Sequence, residues 1–337
     1  MDMRPRVVLT HWVHPEDLEL LAAECEVVSV PERDVLPAEE VRRRCRDSQA
    51  VIMCMADCLD DSFLESCPRL VIVAASLKGY DNFDVDACTR RGVWFTNVPN
   101  LLTTPTAELA VALLLGLGRN LLPGDRSVRS GKLAGWRPTL YGNGLGGRTV
   151  GLVGMGELGR AVARRLLGFE VQLLCTDPVP LPADDPLARQ VTRVELAELL
   201  GCSDYVVLLA PLTPDTYHLM DRRRLALCKP SARLINVGRG SVVDEEAVCE
   251  ALNSGRLAGY AADVFAMEDW ALPGRPDGIP LRLLAWEDRT LFTPHLGSAV
   301  DAVRRAISLS AARSVLQALR SEIPDNAVNR PTPRAQR

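Results

Sequence analysis

Residues 149–177 read TVGLVGMGELGRAVARRLLGFEVQLLCTD. Val150 to Val153 and Val171 to Cys175 are apolar runs of strand length, and RAVARRLLGF between them carries a helical pattern. Three glycines join the first strand to the helix. Gly154 permits the tight turn, Gly156 admits a pyrophosphate without a Cβ in the way, and Gly159 lets helix and sheet close together. Phosphate oxygens then meet the positive end of the helix and its unpaired N–H groups. Asp177, 23 positions after Gly154, stands where a carboxylate accepts hydrogen bonds from a ribose 2′ hydroxyl and repels a 2′ phosphate. A glycine motif alone is weak; strand, helix, strand and acid in this order predict a dinucleotide site that favours NAD over NADP.

Similar short apolar runs recur on both sides. VVLTHW, CEVVSV, AVIMCM, LVIVAAS and VWFTNV precede the motif, and DYVVLLAPL, ARLINVG, AGYAADVF and LFTPHLG follow it. Alternation of such runs with helical stretches argues for an α/β fold with two doubly wound, Rossmann-like parallel-sheet units. A chain of 337 residues, 47% apolar, suffices for two cores. TTPTAELAVALLLGLGRNL predicts a helix opened by threonine and proline, with Glu108 in its first turns. Its apolar residues cover most of its circumference, which suits a buried bridge or a subunit interface. The tail from Pro324 lacks periodicity and reads as a surface strap or a partly disordered end.

Composition excludes several classes. The net charge of −4 and the lack of a basic, aromatic-interleaved stripe argue against nucleic acid. No sustained apolar segment marks a signal peptide or a membrane span, so a soluble, cytoplasmic protein is expected. Ten cysteines are scattered without a CxxC pair, which predicts reduced thiols. Cys54 and Cys58 have no histidine near them in sequence, so no metal site is expected.

Dinucleotide chemistry needs a charge clamp and a group that moves a proton. Of four histidines, His295 lies in TPHLGSA after the last predicted strand, at the edge where open α/β sheets bind ligands. Arg239, in INVGRGSVVDE, also follows a buried strand, and its flanking glycines leave the guanidinium room to project toward an oxyanion. Glu268, in DVFAMEDW, follows another; beside His295 it would hold one tautomer and stabilise imidazolium, with Asp269 as the competitor for that role.

The order GxGxxG, NxxRGxxVDE, a downstream acid and PHxGS resembles the D-2-hydroxyacid dehydrogenases over nearly the whole chain. That resemblance implies an outer substrate domain, 1–101 plus 296–337, an inserted NAD-binding domain, 102–295, the catalytic set Arg239, Glu268 and His295, and a homodimer. It also implies cofactor contacts from Thr106, Gly154, Gly156, Glu157, Leu158, Gly159, Asp177, Pro178, Ala210, Pro211, Val237, Gly238, Arg239, Asp263, His295 and Gly297. LKGYDNFDVDACTRRGVW, GYAADVFAMEDW and LFTPHLGSAV look like one branch of that family, the phosphite (phosphonate) dehydrogenases. That branch implies phosphite as substrate, held by Lys78 and Arg239, with Met55, Gly79, Trp136, Tyr141, Pro294, Ser298 and Arg304 lining or supporting the site. Phosphite is a tetrahedral anion near a double negative charge, and two converging cations suit it better than they suit one carboxylate.

The match has departures. Glu157 stands where a small residue is usual in that branch, Asp177 where glutamate is, and Asp301 where arginine is. Two further readings stand beside phosphite oxidation. One is a D-2-hydroxyacid dehydrogenase or glyoxylate/hydroxypyruvate reductase, in which His295 acts as acid toward a carbonyl. The other is a dinucleotide-sensing binding protein on the same fold.

Overall fold

The computed structural model describes residues 4–30 and 35–331. Its strands are β1 (Arg6–Leu9), β2 (Glu26–Val28), β3 (Ala50–Met53), β4 (Ile72–Ala75), β5 (Trp94–Thr96), β6 (Thr149–Val153), β7 (Gln172–Thr176), β8 (Val191–Arg193), β9 (Tyr205–Leu208), β10 (Arg233–Asn236), β11 (Gly259–Ala262) and β12 (Thr290–Phe292). They form two sheets, ordered β2-β1-β3-β4-β5 and β12-β11-β10-β9-β6-β7-β8. Every pairing within both sheets is parallel. The expected α/β class with two doubly wound sheets is therefore what the chain forms. One strand, β8, lies outside the expected series.

Parallel strands are covered on both faces, which is why their sequences are continuously apolar. Side-chain alternation shares out each strand between two cores. In the first sheet Val8, Val51 and Val73 enter one core, whereas Val7, Leu9, Ile52 and Ile72 enter the other. In the second sheet Val150, Leu152 and Val207 pack beneath the helices Thr103–Gly118 and Glu157–Leu166, while Val206, Leu208 and Leu234 face the opposite layer. Ala107, Ala110, Leu113, Leu114 and Leu117 place the greasy helix within the core of its own unit. Among the described residues no single helix is long and apolar enough to cross a membrane.

The chain parts into two units. One comprises Met1–Leu102, Trp270–Pro273 and Ala299–Arg337; the other comprises Thr103–Asp269 and Gly274–Ser298. Compared with the expected division at 101/102 and 295/296, Leu296 to Ser298 stay with the glycine-motif unit, and Leu102 and Trp270–Pro273 group with the outer one. In the outer unit the tail binds β5: Val328 N–H donates to Phe95 O, and Asn329 Oδ1 accepts from Phe95 N–H at 2.8 Å. That much of the predicted strap is structured, and 332–337 lie outside the described residues.

Each sheet reverses its strand order once, between β1 and β3 in the first and between β6 and β9 in the second. Ligand crevices of open α/β sheets form at the carboxyl ends beside such reversals. Most of the candidate residues follow strands along these two edges; Thr106 lies in the helix Thr103–Gly118, and Trp136 and Tyr141 lie in the segment that precedes β6.

Candidate active site

The glycine loop follows β6. Gly154 has φ +102°, and a Cβ there would meet Ala210 N and Leu209 C at 3.0 Å, so the backbone at the β6/β9 reversal demands glycine. A Cβ on Gly159 would stand 2.3 Å from Gly154 O, whereas one on Gly156 would meet nothing within 4 Å. The loop is thus closed on its protein side and open at Gly156, the geometry a pyrophosphate needs. Gly156 N-caps the helix Glu157–Leu166, with Glu157 exposed in its first turn. Asp177 ends β7 and accepts from Met155 N at 2.6 Å and from Val179 N at 2.8 Å. A carboxylate offers about four acceptor sites, so capacity remains for a ribose hydroxyl. These residues fit a bound NAD. Arg193 donates to the carbonyls of Asp177 and Pro178, which puts a cation beside the acid.

Arg239 follows β10 on a loop fixed from below by buried Asn236. Gly238 N–H donates to Asn236 Oδ1 at 3.1 Å, and Asn236 Nδ2 donates to Arg239 O at 2.9 Å. The flanking glycines serve close packing of backbone rather than room for the guanidinium. A Cβ on Gly238 would lie 2.6 Å from Ala210 O, and one on Gly240 only 1.8 Å from Phe265 C. Arg239 itself is half-buried, and its Nη1 donates to Gly238 O at 3.1 Å.

His295 follows β12 with φ +55°, a left-handed conformation that costs a non-glycine residue about 1–2 kcal/mol. Asp263, buried at the end of β11, holds that turn. Its Oδ1 accepts from Thr293 Oγ1 and Leu296 N at 2.6 Å each, its Oδ2 accepts from Gly297 N at 2.9 Å, and its carbonyl accepts from His295 N at 2.8 Å. Burial raises the Asp263 pKa against these stabilising hydrogen bonds. Thr106 completes the turn: a Cβ on Gly297 would stand 3.0 Å from its Oγ1.

The His295 Nδ1 lies 2.6 Å from Glu268 Oε2, and Glu268 Oε1 accepts from Phe265 N at 2.9 Å. Both side chains are about a quarter exposed, which leaves the ring reachable. Asp269 does another job, accepting from Ser241 N at 2.7 Å. Arg239, Glu268 and His295 thus occupy adjacent carboxyl ends, β10, β11 and β12, of one sheet. Val237, Ala210 and Pro211 lie on the same edge. Asn236 opens the NxxRGxxVDE motif, but the sequence gives no sign of its role under the Arg239 loop, nor of the organising role of Asp263 beyond cofactor contact.

In the outer unit Met55 and Lys78–Gly79 follow β3 and β4. Asn97 Nδ2 donates to Lys78 O at 2.9 Å, and Asn82 Nδ2 donates to Met55 O at 3.3 Å. Thr10, after β1, donates to Asp57 Oδ2 at 2.5 Å, and Cys54 N donates to the same oxygen, which ties the β1 and β3 ends together. Arg304, on the helix Asp301–Leu319, reaches Ser76 O at 3.5 Å and helps line a cavity of about 300 Å³ with Trp12, His14, Asp301 and Ser308. Burial lowers the Arg304 pKa. Asp301 binds His14 Nε2 at 2.9 Å and Arg305 Nε at 3.1 Å. Lys78 and Arg304 are therefore cations at the carboxyl edge of this sheet. Trp136 and Tyr141, expected near substrate, are 80% and 77% exposed in the single chain. Among the described residues no cluster of His, Cys, Asp and Glu could hold a metal ion.

Residues 111–297 match the model of the D-isomer specific 2-hydroxyacid dehydrogenase NAD-binding domain. The chain is 37% identical to the glyoxylate reductase of Pyrococcus furiosus, with 97% of this chain and 96% of that protein covered. It is 36% identical to that of Thermococcus gammatolerans, with 97% of each covered. A crystal structure of the NADPH-dependent glyoxylate/hydroxypyruvate reductase of Sinorhizobium meliloti, in complex with NADP and malonate, superposes with a TM-score of 0.82 at 30% identity, over 99% of this chain and 100% of that one. This chain is an oxidoreductase with an NAD-binding domain, and it belongs to the D-isomer specific 2-hydroxyacid dehydrogenase family.

Proposed function

We propose that this chain passes a hydride between NAD and a small oxyanion while His295 moves the accompanying proton. The observation that carries this reading is the 2.6 Å contact of His295 Nδ1 with Glu268. Held there, the imidazole has Nε2 left for the reacting proton, and Glu268 stabilises the imidazolium that results. Arg239 clamps the anion and offsets its charge. NAD, when bound, supplies the hydride acceptor or, reduced, the donor. A positioned acid or base of this kind is worth about 10²–10⁴-fold in rate.

The relatives favour a 2-oxo acid of the glyoxylate or hydroxypyruvate class and the corresponding D-2-hydroxy acid. On this reading His295 gives its proton to the carbonyl oxygen in reduction and takes it from the hydroxyl in oxidation. A single carboxylate is the group for Arg239.

Phosphite oxidation is the second reading, favoured by the additional cation Lys78 and by its sequence setting, LKGYDNFDVDACTRRGVW. There His295 takes a proton from water, the water oxygen bonds to phosphorus, and the P–H bond breaks as hydride leaves, giving phosphate, NADH and a proton. One assay separates the two: glyoxylate with NADH and phosphite with NAD, each followed by NADH absorbance, with D-2-hydroxy acids alongside. NADH consumed by glyoxylate with none formed from phosphite supports the first reading. The reverse pattern replaces it with the second. Binding of NADH without turnover on any substrate leaves a dinucleotide sensor.

The chain is also proposed to act as a homodimer. The helix Leu121–Arg129 buries none of its residues, and Leu121, Val128, Leu133 and Leu140 are exposed beside Trp136 and Tyr141. Such a run of exposed apolar side chains suits a partner surface. A monomer mass by light scattering would contradict it.

A further inference from the structure

The Arg239 loop and the Glu268 turn hold each other by an exchange of carboxylates. Buried Asp269, at the end of the Glu268 turn, accepts from Ser241 N, in the Arg239 loop, at 2.7 Å. Buried Glu245, at the end of the Arg239 segment, accepts in return from Ala266 N, the first residue of the turn Ala266–Glu268, at 2.9 Å. Between the two bonds Gly240 packs on the Phe265–Ala266 peptide so closely that a Cβ would overlap it. Two segments from different strand ends are therefore stapled at both sides of a backbone contact.

We infer that Glu245 and Asp269 are positioning residues, whose reciprocal hydrogen bonds to the two loops fix Arg239 relative to Glu268 and hence to His295. This rests on the proton role of His295 proposed above. A buried carboxylate is a costly group to place on a backbone N–H, and two placed so reciprocally indicate that loop register matters. Ala266 N is two residues from Glu268, so a shift of that peptide moves the carboxylate that holds the imidazole. A small displacement of a catalytic group suffices to cost a large factor in rate. The carboxylates around Glu245 are Asp269, Glu268 and Asp244, and Cys249 and Tyr260 lie near it as well. Burial first, and those like charges after it, hold its pKa at about 7, against the lowering effect of the Ala266 hydrogen bond.

The test compares E245A and D269A with E245Q and D269N in the full chain. The amide variants keep an oxygen that accepts the same N–H bond; the alanine variants do not. Three quantities are read: kcat and KM for NAD, NADH affinity by fluorescence, and the proton resonance of the His295 Nδ1–H, identified by its absence in H295N. The staple predicts that E245A and D269A lose at least about 10-fold in kcat, keep KM for NAD and NADH affinity within about twofold, and shift or lose the His295 resonance. E245Q and D269N recover most of kcat and the resonance. Alanine variants that melt lower yet keep kcat and the resonance overturn the inference, as do amide variants no better than alanine. The resonance needs no substrate, so wild-type protein without turnover would overturn the proposed function while the resonance still decides the staple. Where an alanine variant does not fold, the amide variant decides: wild-type kcat and resonance support the hydrogen-bond role, and loss of both contradicts it.

Discussion

Nδ1 of His295 and Oε2 of Glu268 stand 2.6 Å apart, although they come from different strand ends 27 positions apart. The glutamate is itself tied to Phe265 N, so it cannot swing freely from the ring. The pair fixes which imidazole nitrogen is engaged and which remains for chemistry. Replacing Glu268 with glutamine keeps the shape but removes the charge that stabilises imidazolium. Turnover by E268Q is expected to fall by about 10²-fold, within the range of general acid–base contributions, with NADH affinity unchanged. Steady-state kinetics and a fluorescence titration check both.

Asp263 serves the same site from below. Its carboxylate satisfies three donors of the His295 turn. D263A leaves buried donors without an acceptor, at about 1–3 kcal/mol for each unsatisfied group, and frees a histidine from an unfavourable φ. We expect a lower Tm together with a loss of kcat larger than that of E268Q. A variant melting as wild type would show that the turn holds itself.

The glycine loop allows a cleaner separation of folding from binding. G156A places its Cβ in open space, so Tm should stay within about 2 °C while NADH affinity falls by at least about 10-fold, roughly 1.4 kcal/mol. G159A drives its Cβ against Gly154 O and should lower Tm as well. Thermal melts with and without NADH distinguish the two. Equal behaviour of the variants would contradict the assignment of the open side to a ligand.

Asp177 and Arg193 bear on the choice of dinucleotide. The carboxylate repels a 2′ phosphate, and the adjacent guanidinium would attract one. D177A should therefore lower the ratio of kcat/KM for NAD over NADP by at least about 10-fold, about 1.4 kcal/mol. An unchanged ratio would remove Asp177 from that role.

Much of this architecture is legible from residues 149–177 outward, because parallel strands buried on both faces are continuous apolar runs. β8 is not legible: Val191–Arg193 is three residues long, and only Val191 is buried. Arg239, Glu268 and His295 can be found because each follows an apolar strand at the ligand edge. Glu245 closes the NxxRGxxVDE motif, but its role cannot be found there, since nothing in VVDEEAV says that it, rather than exposed Glu246, lies buried under Ala266; only the fold shows that. The glycines around Arg239 are visible, but their reason is not, because it lies in the backbone that follows β9 and β11, at Ala210 and Phe265, which only tertiary structure brings close.

His11 gives a pH signature in the outer unit. Both ring nitrogens are buried without a hydrogen-bond partner, and burial, aided by the charge of Arg304, depresses its pKa to about 3. The unfolded chain takes up that proton near 6.5, the folded chain only near 3. The contribution of neutral His11 to stability is therefore complete above pH 6.5 and is lost progressively as pH falls toward 3, by about 2 kcal/mol at pH 5. Denaturant melts of wild type and H11F between pH 7 and 5 check this. The wild type should lose that amount relative to the variant, and parallel pH curves would refute it.

The proton role of His295 is tested most directly by H295N, assayed with whichever substrate the comparison of glyoxylate and phosphite identifies. Asparagine removes the imidazole Nε2 assigned to the proton and leaves the glycine loop and Asp263 untouched. The expected result is a fall in kcat of about 10³-fold or more, with NADH affinity within about threefold of wild type. Wild-type turnover by H295N would contradict it and require another group to carry the proton.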